Sequence, residues 1–152
     1  MPGTELLLEL MEYKRVIVDQ LYEFAERQME LVRKSDITTL LALLSRKQHV
    51  ILAVEALEQK LQSFREENPS ERSWASPDAK KRCQECMDYC QEQLKQVMMM
   101  EKTAEEELIV KKNAVQEQIR QLDQGVTVHR AYHQLQTRSK SHSVHGLDLS
   151  SG

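Results

Sequence analysis

Three cysteines, Cys83, Cys86 and Cys90, stand close together, and the chain has no others. Thiolates bind zinc and take part in redox chemistry, and a spacing of i, i+3 and i+7 lays these three along one face of a helix. A zinc site needs four ligands that converge tetrahedrally, which one straight helix does not supply alone. Free cysteine is also among the most buried residue types. The cluster therefore favours packing in a helical core, and a metal or redox site is the alternative.

Two histidines, His129 and His133, lie one helical turn apart, and His142 and His145 follow. They have no cysteine or carboxylate partners in a metal-binding spacing, so we interpret them as solvated side chains. The sequence contains no glycine-rich phosphate loop, no His-Glu-x-x-His and no nucleophile elbow. We therefore predict that the protein is not an enzyme and holds no cofactor or metal.

The composition predicts an all-α protein. Aromatic residues make up 5% of the chain, and it has only four glycines and three prolines, too few for the turns and strands of a sandwich or barrel. The net charge is -3, with charges of both signs interspersed along the chain. Nucleic acid is thereby excluded as a main partner, because binding phosphates requires a basic face.

The apolar runs are short. The longest are residues 40–44 and 50–54, whereas a transmembrane helix needs about 20 apolar residues. No basic leader precedes an apolar segment with a cleavage site. The three cysteines do not form the even-numbered set of a disulfide framework. Free thiols suit a reducing compartment. These features predict a cytoplasmic protein without membrane insertion.

The first half of the chain reads as two helices. Apolar residues at spacings of three and four predict helix 1 from Thr4, as its N-cap, over about 30 residues. Ser35 or Asp36 then caps helix 2, which runs to residue 67 and ends before Pro69. Because the joint is so short, the two helices should be antiparallel neighbours. Lys47 and its neighbour Gln48 interrupt the apolar face of helix 2.

Helix 3 is predicted over residues 77–124, with Ser76 as N-cap and Gly125 as C-terminal cap. Its apolar residues follow a seven-residue repeat, in which Glu101, Lys111 and Gln118 are the polar members. The apolar members are Cys83, Met87, Cys90, Leu94, Val97, Ala104, Leu108, Val115 and Leu122. Residues 126–135 can form a short fourth helix. We therefore predict an antiparallel bundle of three long helices, the third longest, over residues 1–125, and a short helix with a flexible polar tail over residues 126–152.

The predicted helix lengths do not match. Helices 1 and 2 would each be roughly 45 Å long and helix 3 roughly 70 Å. The last part of helix 3 therefore lacks partners in the bundle, and this overhang begins between Ala104 and Leu108. Apolar surface left in water costs about 25 cal/mol per Å². The tail, a second copy of the chain or another protein must cover it. The alternative is that helix 3 breaks near residues 111–113 and folds back as a fourth bundle helix.

The methionine run 98–100 adds to this surface. Three consecutive residues spread over roughly 200° of a helix, so at least one of Met99 and Met100 should be partly exposed. Methionine suits surfaces that repack around different apolar partners. The candidate partner-binding residues are Met99, Met100, Leu108, Ile109, Val115, Ile119, Leu122, Val126, Val128, Tyr132 and Leu135.

Residues 21–61 resemble the signature half of the FlgN-type flagellar export chaperones, to which FliT-like chaperones are architecturally similar. The likeness rests on the succession of residues 28–31, the short turn at Asp36, the leucines of 40–44, Lys47-Gln48 with Ile51, and then Leu57 and Leu61. The closing run of residues 130–132 after a glycine is similar too. The cysteine cluster and the His/Ser-rich end depart from the family pattern.

The resemblance implies a cytoplasmic chaperone without enzymatic activity. Such proteins bind the helical terminal segment of hook-filament junction proteins, prevent premature assembly and deliver the client to the export ATPase and gate. The client site of that family lies in the C-terminal helical part. We expect a client helix on residues 108–122 with residues 126–135 clamped over it, while Lys47 and Gln48 stay in the bundle. The alternatives are a structural coiled coil that forms a homodimer through helix 3, and a thiol-based metal or redox sensor.

Overall fold

The computed structural model describes residues 3–137, and in this range the chain is all-α. The long helices are α1 (Thr4–Arg33), α2 (Ile37–Arg65) and α3 (Pro77–Thr137), and a single 3-10 turn, Pro69–Glu71, lies between the last two. At 61 residues α3 is the longest, as predicted. The chain divides into two compact units between Glu105 and Glu106.

The turn between α1 and α2 forms as the sequence predicts. Asp36 is the N-cap of α2, and its Oδ1 accepts a hydrogen bond from the Thr39 amide at 3.2 Å. Ser35 takes a positive φ of 57°. This left-handed residue lets the chain reverse within a few positions. Residues 34–36 donate their amide hydrogens to the last carbonyls of α1, so the end of α1 is satisfied as well.

The predicted N-cap of α1 is wrong. Gly3 is the N-cap, and its carbonyl accepts from the Leu7 amide at 3.2 Å. The Thr4 hydroxyl instead donates to the Ser73 carbonyl at 2.8 Å. A loop carbonyl from elsewhere in the chain thus competes successfully for the threonine, and that tertiary bond ties the start of α1 to the segment before α3.

Side-chain hydrogen bonds cap the C-terminal end of α2 and the N-terminal end of α3. Arg72 folds back on the last turn of α2, and its Nη2 donates to the Phe64 carbonyl at 2.7 Å. This bond satisfies one of the carbonyls that a helix end leaves unpaired. At the start of α3, Ser76 Oγ accepts from the Ala79 amide at 3.1 Å, as predicted for an N-cap.

The three helices of the first unit pack up, down and up. Lys14 on α1 contacts Glu58 on α2 at 3.3 Å, which fits an antiparallel pair. Asp19 on α1 accepts a hydrogen bond from the Tyr89 hydroxyl of α3 at 2.5 Å, and together with the bond from Thr4 to Ser73 this pairing makes α1 and α3 parallel. The buried apolar residues of this core include Leu7, Leu10, Met11, Ile17, Leu21, Ala25, Leu57, Leu61, Phe64, Cys83, Cys86 and Val97.

Helix α3 differs from the prediction after Gln124. It continues through Gly125 to Thr137, so Gly125 is not a C-terminal cap and residues 126–135 are not a separate helix. A capping glycine takes a positive φ, and Gly125 does not. Glycine costs only roughly 1 kcal/mol inside a helix, and no proline follows it within the described residues, so nothing obliges α3 to end there. The alternative of a break near residues 111–113 is also wrong, because α3 is unbroken there.

The predicted domain boundary, between Gly125 and Val126, therefore lies inside a continuous helix. Most of the predicted polar tail, residues 138–152, lies outside the described residues.

One described helix, α2, is long and apolar enough to cross a membrane, judged by length and composition alone. This is weak evidence, since core helices of soluble proteins meet the same criteria. Only 11% of its most apolar window is buried, and Leu41 and Leu52 are exposed. Arg46 and Lys47 lie in the middle of α2, however, where charges in a bilayer are most costly. The absence of membrane insertion stays a prediction.

Candidate functional site: the apolar face of the last part of α3

Buried side chains end at Ala104 within the described part of the chain. Val97 and Ala104 are 4% and 1% exposed, respectively. Beyond them Leu108 is 36% exposed, Val115 52% and Leu122 69%. The seven-residue repeat of α3 thus continues while burial stops, at the position where the difference in helix length predicted it.

Four helical residues in the second unit form a continuous line. Val115, Ile119, Leu122 and Val126 follow one another at spacings of four, three and four, and Leu108 extends the line backwards. At about 100° per residue, these five side chains fall within an arc of about 60°. We call them the C-terminal stripe. It is narrow, apolar and, except for the half-buried Ile119, exposed to solvent.

The other predicted partner-binding residues of the second unit do not share this face. Ile109, at 48% exposure, sits about 100° away from Leu108. Val128 and Leu135 are exposed on roughly the opposite side of α3, and the exposed Tyr132 lies about 110° from the middle of the line. The expected clamp of residues 126–135 over a client is therefore wrong, because those residues continue α3 instead of folding back over it.

The methionine run belongs to the first unit. Met98 and Met99 are exposed, whereas Met100 is partly buried and packs against the core. The prediction that at least one of Met99 and Met100 is partly exposed is confirmed. Because Met100 packs partly against the core, Met99 is the better candidate for contact with a partner.

An ion pair lies on the polar side of α3. Arg120 donates to both carboxylate oxygens of Glu117, at 3.0 and 2.6 Å. The hydrogen bond from Arg120 lowers the pKa of Glu117, and the same bond raises the pKa of Arg120. Both residues project away from the C-terminal stripe. The ion pair thus supports the helix without occupying its apolar face.

The three cysteines lie in the core of the first unit. Their exposures are 1%, 6% and 2% for Cys83, Cys86 and Cys90, which confirms the core-packing interpretation. Burial raises the pKa of the Cys83 thiol, and it raises that of Cys90 as well. Among residues 3–137, no three histidine, cysteine or acidic side chains are grouped so that they could hold a metal ion. The rings of His129 and His133 meet edge to face, with centroids 6.5 Å apart.

Sequence reasoning missed a polar contact inside the bundle. Lys47 on α2 is 9% exposed, and its ammonium group forms an ion pair with Glu101 on α3. It also donates to Gln28 Oε1 on α1 at 3.5 Å. The sequence does indicate this contact, because Gln28, Lys47 and Glu101 each interrupt the apolar stripe of their own helix. Three interruptions at matching heights of a bundle predict that the polar groups meet.

Comparison of the chain with protein-family models, curated proteins and solved structures finds no match.

Proposed function

We propose that the protein is a cytoplasmic export chaperone whose C-terminal stripe binds an amphipathic helix of a client protein. One observation carries the proposal: burial ends at Ala104 while the apolar pattern of α3 continues in solvent through Leu122. Among described residues, nothing in this chain covers Val115 or Leu122. An exposed apolar line of this kind favours an interaction with another helix.

The width of the stripe suits one partner helix. An arc of about 60° matches the narrow seam of two-stranded coiled coils more closely than the broader face that a globular core requires. The resemblance of residues 21–61 to FlgN-type chaperones supplies the client class. The client is then the helical terminal segment of a hook-filament junction protein, held until delivery to the export ATPase and gate.

Calorimetric titration of the full chain with synthetic C-terminal helical segments of hook-filament junction proteins tests the proposal. The variant Val115→Glu/Leu122→Glu places two carboxylates on the stripe and should abolish binding. The matched control, Ala114→Glu/Gln121→Glu, adds the same charge about 100° around α3 from the two stripe positions and should bind as the wild type does. Equal loss in both variants, or no binding by the wild type, would contradict the proposal.

A second function is favoured by the seven-residue spacing of Leu108, Val115 and Leu122. That spacing is typical of a coiled coil, so a structural protein that dimerises through α3 would bury the same residues. Sedimentation equilibrium distinguishes the two functions. A chaperone is a monomer until a client is added, whereas a structural coiled coil is already a dimer that the Val115→Glu/Leu122→Glu variant dissociates.

A further inference from the structure

The first unit contains a cavity that the proposed function does not use. Its volume is about 320 Å³, and it opens among the three helices near the N-terminal end of α1. Its apolar wall includes Leu7, Met11, Leu61, Phe64 and Leu94. The first four of these side chains are less than a tenth exposed, so the wall belongs to the core and not to the surface. Small-molecule sites range from about 300 to 1,000 Å³, and this cavity falls at the lower end.

The charged residues that line the cavity all have the same sign. They are Lys14 on α1, Arg65 on α2 and Arg72 in the loop before α3, and no carboxylate is among the lining residues. The side chains of Lys14 and Arg72 are 19% and 14% exposed, whereas that of Arg65 is 50% exposed. Two cations are thus largely withdrawn from water at an apolar cavity, and the third is more exposed to solvent.

Carboxylates that do not line the cavity hold these cations in place. Glu58 contacts Lys14 at 3.3 Å and also pairs with Arg65, and Glu67 lies 3.5 Å from Arg72. Burial disfavours ionised Glu58, but the hydrogen bond from Arg65 and the charge of Lys14 lower its pKa on balance. An ammonium carries three donors and a guanidinium five, so donors remain for a ligand after these bonds are made.

We propose that the cavity binds a medium-chain aliphatic carboxylate. Lys14 and Arg72 receive the carboxylate, and the alkyl chain lies against Leu7, Met11 and Phe64. Charge complementarity decides the head group, because every charged lining residue is cationic. The volume, at the lower end of small-molecule sites, suits an alkyl chain of medium length. The proposal is independent of the C-terminal stripe.

Calorimetry of the full chain with decanoate, below its micelle concentration, tests the proposal against decanol, which has the same chain and no charge. Decanoate should bind at least about tenfold more tightly, because charged hydrogen bonds are worth more than neutral ones. Lys14→Met should remove most of that difference by weakening decanoate binding much more than decanol binding, and Glu58 keeps Arg65 as a partner in this variant. Equal affinity of decanoate and decanol for the wild type would overturn the proposal, as would the absence of decanoate binding.

Alkylation of Cys90 supplies a second readout that needs no variant. Cys90 lines the cavity, whereas Cys83 does not. Decanoate should slow maleimide labelling of Cys90 several-fold more than that of Cys83, measured by peptide mass spectrometry. The variant Cys90→Leu extends a side chain into the cavity and should abolish binding of both ligands. Undiminished binding by Cys90→Leu would place the ligand elsewhere and overturn the proposal.

Discussion

Lys47 and Glu101 meet inside the bundle with unequal exposure. The Lys47 side chain is 11% exposed and that of Glu101 is 36% exposed. Removing one partner of a buried ion pair leaves an uncompensated charge, while replacing both with apolar residues is often nearly neutral. The two partners should therefore respond differently to substitution. Such a pair also disfavours alternative registers, in which the ammonium group would face apolar side chains.

Glu101→Met should destabilise the bundle by about 3 kcal/mol, because the nearly buried ammonium of Lys47 keeps only the long contact with Gln28. Lys47→Met should cost about 1 kcal/mol, since water still reaches the Glu101 carboxylate. The double variant Lys47→Met/Glu101→Met should lie within about 1 kcal/mol of the wild type. Urea unfolding of all four proteins measures these differences. Additive effects in the double variant would show that the ion pair is unimportant.

The buried thiols predict a loss of stability in alkali. The pKa values of Cys83 and Cys90 are raised in the folded protein, so the unfolded chain ionises first as pH rises. Their contribution is fully present below the ordinary thiol pKa of about 8.5 and is lost as pH passes through the raised values. The free energy of unfolding should fall between pH 8 and pH 10, as urea titrations measure. The variant Cys83→Ala/Cys90→Ala should fall less steeply, and equal slopes would contradict the assignment.

At the residue scale, the sequence predicted burial better than it predicted partners. The spacing of Cys83, Cys86 and Cys90 was enough to place them in a core, because apolar side chains at helical spacing have few alternatives. The partner of Thr4 was not predictable, since Ser73 reaches it only through the packing of the loop before α3. Lys47 and Glu101 are far apart in sequence, and only the register of the helices brings them together.

At the element scale, Gly125 distinguishes a continuous α3 from one that ends there. An added Cβ at Gly125 would meet no atom within 4 Å, and its backbone is helical. Gly125→Ala should therefore stabilise the surrounding helix by about 0.5 to 1 kcal/mol. Slower amide hydrogen exchange in the neighbouring turns measures the effect. If Gly125 were a capping glycine with positive φ, alanine would be strained there and amide exchange would become faster. Faster exchange in Gly125→Ala would therefore contradict the continuous helix.

The sequence predicted the starts of α2 and α3 correctly, the N-cap of α1 one residue too late and the end of α3 wrongly. Asp36 and Ser76 cap α2 and α3 as expected, because capping side chains act on amides only a few residues away. The end of α3 was misjudged because glycine permits a helix to stop without requiring it. No proline follows Gly125 in the described residues to break α3, and the continuity of the helix also removes the predicted clamp.

At the scale of the whole molecule, the first unit should fold without the second. Every buried residue in the described range lies at or before Ala104. A chain that ends at Glu105 should unfold cooperatively, with a free energy of unfolding within about 1 kcal/mol of the full chain, because it loses little buried apolar area. Urea unfolding followed by circular dichroism provides the measurement. A much less stable truncated chain would mean that residues after Glu105 help to form the core.

The mismatch of helix lengths was the most informative prediction at this scale. The number of residues in each predicted helix places the end of burial between Ala104 and Leu108, where the structure has it. The cavity beside Lys14 and Arg72 was not predictable in the same way. It depends on how side chains from three helices and a loop fill the space between them, which periodicity does not specify.

The most direct test of the central claim is the hydrogen-exchange footprint of a bound client segment on the full chain. A hook-filament junction segment that binds in the calorimeter should slow amide exchange within residues 108–126, where the C-terminal stripe lies, and leave the core of the first unit unchanged. Protection confined to residues before Glu105, with none on the stripe, would contradict the claim that the exposed apolar line of α3 is the partner-binding site.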